Sequence, residues 1–287
     1  MENKTTLSKV LSFFLTKIFI GVLIVVGLVA FVEWSGKIIL DKINLASMVK
    51  NLILTSAEVA IALISYKILF TIYEKRQIKE LSSSTFVVNA TFGFGFGLIL
   101  QSLFVLVIYI TGNYSIVKIN PFSFIFPSLI IAIGAGFIAE ILIRGIFFRL
   151  IEEKLGSFIT ILILTILFAL LHLNVSGATL LSVLTTAIQA GALLSAIYVF
   201  TRSLWSVIFI HFAWDMIEPG VFGGINPGNS ISQSILNSKI TGPALLTGGP
   251  LSPQNSIQAL ILCSIATVIF LLLAKKKKSL INSSWTK

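Results

Sequence analysis

FIAEILIRG, residues 137–145, places Glu140 and Arg144 four residues apart in a run of phenylalanine, isoleucine and leucine. That interval puts both side chains on one face of a helix. The flanks decide what kind of helix it is. Between residues 122 and 148 no other side chain is charged, and the apolar stretch exceeds the roughly 20 residues needed to cross a bilayer.

The whole chain agrees. It has 287 residues, 56% of them hydrophobic, with 23 phenylalanines and 11% charged residues. A soluble domain usually carries about 25% charged residues, so the composition points to lipid. The formal net charge of +10 comes without an aromatic-interleaved basic patch or a nucleic-acid motif, which argues against nucleic acid as a partner. Basic residues beside apolar segments suit anionic headgroups instead. The single cysteine, Cys263, allows no disulfide within the chain and no metal-thiolate site. It reads as a small lipid-facing or packing residue.

Eight apolar segments read as transmembrane helices, at about 12–32, 52–73, 86–110, 122–150, 158–173, 178–200, 203–217 and 254–274. The expected fold is an all-α polytopic membrane helix bundle. The first segment is too long for the apolar part of a signal peptide and reads as a retained span. The fifth and seventh are short, which suits tilted, partly embedded or protein-surrounded helices. Four stretches follow from this division: N-terminal helices (1–119), a core (120–217), a Gly/Pro-rich extracytoplasmic loop without regular structure (218–253), and a last helix with a basic tail (254–287). A loop of that length can act as a lid or a link.

Lysine and arginine set the orientation. One side holds Lys4, Lys9, Lys75, Arg76, Lys79, Arg149, Lys154, Arg202, Lys275 to Lys278 and Lys287; the other holds Lys37, Lys42, Lys50, Lys118 and Lys239. Both termini are expected in the cytoplasm, and the Ile, Phe, Lys and Asn content leans towards a bacterial plasma membrane. In FGFGFG (92–97), Gly93 and Gly97 are spaced for close helix contact. Gly134 and Gly136 are expected to bring a neighbouring helix up to Glu140.

Ionisable groups inside spans are costly and mark function by default. Lys17, near the start of the first span, can snorkel. Glu58 and Lys67 are nine residues apart on opposite sides of one helix. The other intramembrane groups form a set. Both histidines of the chain lie in apolar segments, His172 in LFALLHLN and His211 in IFIHFAWD. Asp215 follows His211 by four residues, and Phe168 precedes His172 by the same interval. Isolated helix–helix hydrogen bonds would explain any one of them. Several buried charges on three spans are better explained by one shared polar cavity.

Such a cavity suits peptide-bond hydrolysis. A carboxylate and an imidazole can activate a water, and a second imidazole with a carboxyl or amide can stabilise an oxyanion. Alternatively, two imidazoles and a carboxylate could hold zinc. The usual H-E-x-x-H and G-x-S-x-G signatures are absent.

The order A-E-x-x-x-R-G, F-x-x-x-H, H-x-x-x-D resembles the CPBP family of intramembrane proteases, whose usual motifs are E-E-x-x-x-R, F-x-x-x-H and H-x-x-x-N/D. That family includes the type II CAAX prenyl endopeptidases and bacterial relatives linked to bacteriocin processing or immunity. The resemblance covers about 120–217, and LLTGGPLSP (245–253) is similar to a segment of many bacterial members. It implies catalytic roles for Glu140 and His172 on water and for His211 and Asp215 on the oxyanion, with Arg144 and Phe168 in support. It leaves open whether there is no cofactor or a zinc ion on His172 and His211. The implied partners are a membrane protein or peptide substrate and the lipid bilayer, with a prenylated CAAX peptide sensible only beside a prenylated partner.

One position departs from the pattern. Ala139 stands where the family has its first glutamate, and alanine neither takes a proton nor binds a metal. Glu140 is rotated about 100° from it, and a glutamate committed to an arginine is a poor general base. An inactive member, an active member in which Glu140 takes the role, and an engineered glutamate-to-alanine change all fit. The expectation is therefore a CPBP-type intramembrane endopeptidase. A pseudoprotease acting as an immunity or scaffold protein is the rival, and a proton-coupled transporter is a third reading that lacks evident inverted repeats.

Overall fold

A computed structural model describes residues 13–223 and 234–283. Lys4, Lys9, Lys287 and the 224–233 part of the Gly/Pro-rich stretch lie outside the described residues. Helix α1 spans Phe14–Asp41, α2 Ser47–Tyr73, α3 Phe86–Ile110, α4 Phe122–Leu155, α5 Ser157–His172, α6 Leu180–Thr201, α7 Leu204–Ile217, α8 Ala244–Thr247 and α9 Ile257–Lys276.

All eight apolar segments are helical, but among the described residues six helices, not eight, are long and apolar enough to cross a membrane. The exceptions are α5 and α7, with 16 and 14 residues. At 1.5 Å per residue they reach only about 24 and 21 Å, less than the roughly 30 Å of a hydrocarbon core. For α7 the reason is burial: Val207, Ile208, Ile210 and Ala213 are fully enclosed, and the helix packs between α3 and α4. A helix surrounded by protein has no lipid thickness to match.

Glycine makes that packing possible. A Cβ on Gly93 would strike the carbonyl of Ser206, one on Gly97 would lie 2.9 Å from Ala213 Cβ, and one on Gly136 would lie 2.9 Å from Phe212 N. Thus α7 nests against α3 and α4 at the turn that carries His211, as the glycine spacing suggested. Gly134 faces Thr55 of α2 at ordinary contact distance instead.

Three helices widen into π turns: Ile141–Phe148 within α4, Ala187–Leu193 within α6 and Glu218–Phe222 after α7. Each carries polar groups of the site described below. Wide turns loosen the carbonyl ladder of a helix, and three carbonyls within them bind side chains: Phe222 O accepts from Tyr114 and Ser238, and two more lie in α4 and α6. Gly145 O accepts from Tyr66 at 3.0 Å and from Arg149 Nε at 3.1 Å, and Ala190 O accepts from Arg144 Nη2.

The expectation that 218–253 lacks regular structure is corrected. Strand β2, Leu236–Ile240, pairs antiparallel with β1, Tyr114–Ile119, which links α3 to α4. Leu236, Ser238 and Ile240 alternate with more exposed neighbours, the pattern of a ribbon lying on a surface. After β2, α8 and two 3₁₀ turns bring the chain back to α9.

The opposite face is fastened by charge. Lys17 pairs with Glu74 at 3.0 Å, so it is held by a partner as well as lying near a helix end. Glu74 also binds Arg76 and Arg149, at 3.0 and 2.8 Å. Arg76 reaches Glu80 at 2.6 Å, and the Tyr66 hydroxyl donates to Glu80 at 2.5 Å. This cluster joins α1, α2 and α4. Cys263 is buried and unpaired in α9.

Candidate functional site

The π turn of α4 begins immediately after Glu140, and Arg144 lies within it. Both side chains are inaccessible, at 0% and 1% exposure. Arg144 Nη1 donates to Glu140 Oε1 at 2.9 Å, and its guanidinium carbon sits 5.5 Å from the centre of the Phe168 ring. Nη2 crosses to Ala190 O on α6. The arginine thus ties α4 to α5 and α6 by an ion pair, a ring face and a backbone carbonyl.

Glu140 Oε1 has a second neighbour. His211 Nδ1, on α7, lies 2.8 Å from it. On the other side of the imidazole, Nε2 is 3.4 Å from Asp215 Oδ2. His211 is therefore bracketed by two carboxylates, and an imidazole in that setting is held as a donor at both nitrogens.

His172 ends α5 and differs in kind. Its Nδ1 lies 2.9 Å from Phe168 O, one turn earlier. A carbonyl only accepts, so Nδ1 carries the proton and Nε2 keeps a lone pair in the neutral ring. Phe168 thus serves two partners, its ring facing Arg144 and its carbonyl fixing the His172 tautomer.

A cavity of about 320 Å³ opens among these elements. His172, His211 and Asp215 line it, together with Phe168, Leu194, Trp214, Gln189, Gln254 and Asn255; Glu140 and Arg144 do not. The structure therefore brings Glu140, Arg144, His211 and Asp215 into one chain of contacts. His172 joins His211 and Asp215 around the cavity, while Glu140 stands behind His211. Ala139 is half-buried on α4.

The donor set does not fit zinc. Both nitrogens of His211 face carboxylates, so neither offers a lone pair to a metal while that arrangement holds, and His172 Nε2 alone is available. Among the described residues no group of three or more His, Cys, Asp or Glu side chains is placed to hold an ion.

Gln189, Trp214, Glu218, Gln254 and Asn255 were not singled out from sequence. A glutamine inside the apolar α6 and a glutamate directly after α7 were signals that could have been followed. Gln254 and Asn255, in a Gly/Pro-rich stretch, offered none.

These features define a polytopic membrane protein with a buried acid–imidazole–guanidinium site opening on an intramembrane cavity. Residues 121–217, which hold all three motifs, match the family model of Rce1-like type II CAAX prenyl endopeptidases. The match agrees with the resemblance to CPBP-family proteases that the motif order implied over this segment. No curated protein and no solved structure matches the chain.

Proposed function

We propose that the protein is an intramembrane endopeptidase in which His172 is the general base. The observation that carries this reading is the Nδ1 contact to Phe168 O, which leaves Nε2 as the only uncommitted imidazole nitrogen at the cavity. In this scheme a water placed between Nε2 and the scissile carbonyl loses a proton to His172 as its oxygen attacks the carbonyl carbon. The new oxyanion faces the positive His211, which Glu140 and Asp215 orient. The C–N bond then breaks, and the proton on His172 passes to the departing amine. Arg144 holds Glu140 in place and never meets the substrate.

Ala139 does not prevent this scheme; it removes a carboxylate that would share the water with His172. The expected consequence is slow turnover. Purified protein in nanodiscs, given a fluorogenic membrane-peptide reporter, should cleave it, and Ala139→Glu should raise the rate. His172→Ala should lower the rate by about 10²-fold or more. Equal rates in all three proteins would sink the assignment.

One observation favours a second reading, a non-catalytic pseudoprotease: Glu140, the acid remaining in the first motif, is fully enclosed and committed to Arg144 and His211. Under it the purified protein cleaves nothing, and biological function survives His172→Ala. The substrate of the first reading is a membrane-embedded peptide with apolar residues next to the cleaved bond, because Phe168, Val175, Leu194 and Leu251 line the cavity. The basic-residue count supports cytoplasmic termini under either reading.

A further inference from the structure

An ionised carboxylate only accepts hydrogen bonds, so Asp215 has no donor to offer a developing oxyanion. A donor comes from elsewhere in the chain. Gln254, in the turn before α9, lines the same cavity as His172, His211 and Asp215. Trp214 Nε1 donates to Gln254 Oε1 at 2.5 Å. An indole N–H can only donate, so this contact fixes the amide with its oxygen towards Trp214 and its NH₂ turned away. Among the described residues that NH₂ has no hydrogen-bond partner.

The backbone of Gln254 is held as well. Gln189 Nε2 donates to its carbonyl at 2.7 Å, and the Glu218 carboxylate lies beside its backbone. Glu218 is 1% exposed and belongs to the π turn after α7. Gln101 of α3 completes the arrangement. In the orientation its neighbours require, its nitrogen donates to Glu218 Oε2 at 2.8 Å and its oxygen shares the single Trp214 N–H with Gln254 Oε1. Three elements therefore converge to present one neutral amide to the cavity.

We propose that Gln254 is a catalytic residue whose Nε2 donates to the scissile carbonyl oxygen as that oxygen becomes negative, with Trp214, Gln189 and Glu218 as positioning residues. This rests on the hydrolytic reading above. As water oxygen bonds to the carbonyl carbon, its proton goes to His172 and the carbonyl π pair moves onto oxygen. That oxygen accepts the Gln254 N–H alongside the charge of His211. When the C–N bond breaks, the pair returns to the carbonyl and the contact weakens.

The test compares two ligands of the full chain in nanodiscs: an apolar hexapeptide and its phosphinate analogue, which carries a tetrahedral anion at the scissile position. The unsubstituted chain should bind the phosphinate about 10²-fold more tightly or better. Gln254→Met keeps the length and removes both donors. It should weaken phosphinate binding by about 10²-fold, leave the amide peptide within about twofold, and lower kcat rather than raise KM. Trp214→Phe frees the amide to turn and should weaken the phosphinate selectively by about 10-fold; the amide peptide, bound in the same cavity, reports the volume that this change removes from the wall. Equal losses for both ligands, no loss, or no preference in the unsubstituted chain would overturn the role of Gln254. Phosphinate preference that depends on Gln254, in a chain that cleaves nothing, would support the amide site and overturn the hydrolytic reading alone.

Discussion

Glu140 Oε1 serves both Arg144 and His211, while its other oxygen, Oε2, is buried with no hydrogen-bond partner among the described residues. One carboxylate oxygen therefore serves two partners inside the bundle, and Asp215 faces His211 from its other side. Removing the Glu140 charge strands Arg144, and breaking a buried pair from one side costs about 3–5 kcal/mol. Glu140→Gln should lower unfolding stability in detergent by about that amount, and Glu140→Gln with Arg144→Met should recover part of it. A double substitution no more stable than the single would show that the pair does not carry the cost. The intramembrane charges were legible because lipid makes them conspicuous: Glu140, Arg144, His172, His211 and Asp215 each interrupt an apolar run. Gln254 and Trp214 were not, because an amide in a polar turn and an indole in an apolar helix are ordinary. Their meaning depends on which atoms meet, and 40 residues separate them.

Elements meet here through small residues and through helix turns that are not α. The three glycines facing α7 act at backbone range, so they tolerate little. Gly136→Val would push a branched side chain against Phe212 N and Ile208 O, where overpacking costs about 1–3 kcal/mol. Thermal unfolding should show that loss, together with reduced peptide cleavage, because the shifted turn carries His211. Gly95→Ala, where a Cβ meets nothing within 4 Å, is the matched control. Helix positions were legible from apolar run length. The ribbon was not: β1 and β2 are six and five residues long, their partners lie more than a hundred positions apart, and Gly, Pro and Asn dominate the chain around β2. The π turns left no signal in apolar periodicity, since every side of those helices is apolar.

On the scale of the whole molecule, the face formed by the 74–80 segment behaves as a charge-built clamp. Burial alone would raise the Glu80 carboxyl, but hydrogen bonds from Arg76 and Tyr66 and the arginine's charge outweigh it and hold it below its usual 4.5. Glu74 is likewise lowered, burial being outweighed by Arg149, Lys17 and Arg76. A carboxylate depressed in the folded state stabilises it above the unfolded value and loses that contribution as pH falls through the folded one. Melting temperature in detergent should therefore hold from pH 7 to about 5 and drop below 4.5, and the drop should shrink in Glu80→Gln. The three π turns carry a further consequence, for chain length rather than chemistry. Each holds one residue more than the α turn it replaces. Deleting one residue inside 141–148 or 187–193 could therefore tighten the turn and leave the rest of the span in phase, whereas the same deletion elsewhere would rotate everything beyond it by about 100°. A gap aligned to these windows in a related sequence would thus mark the loss of the Arg144 or Ala190 contact, not a change of fold.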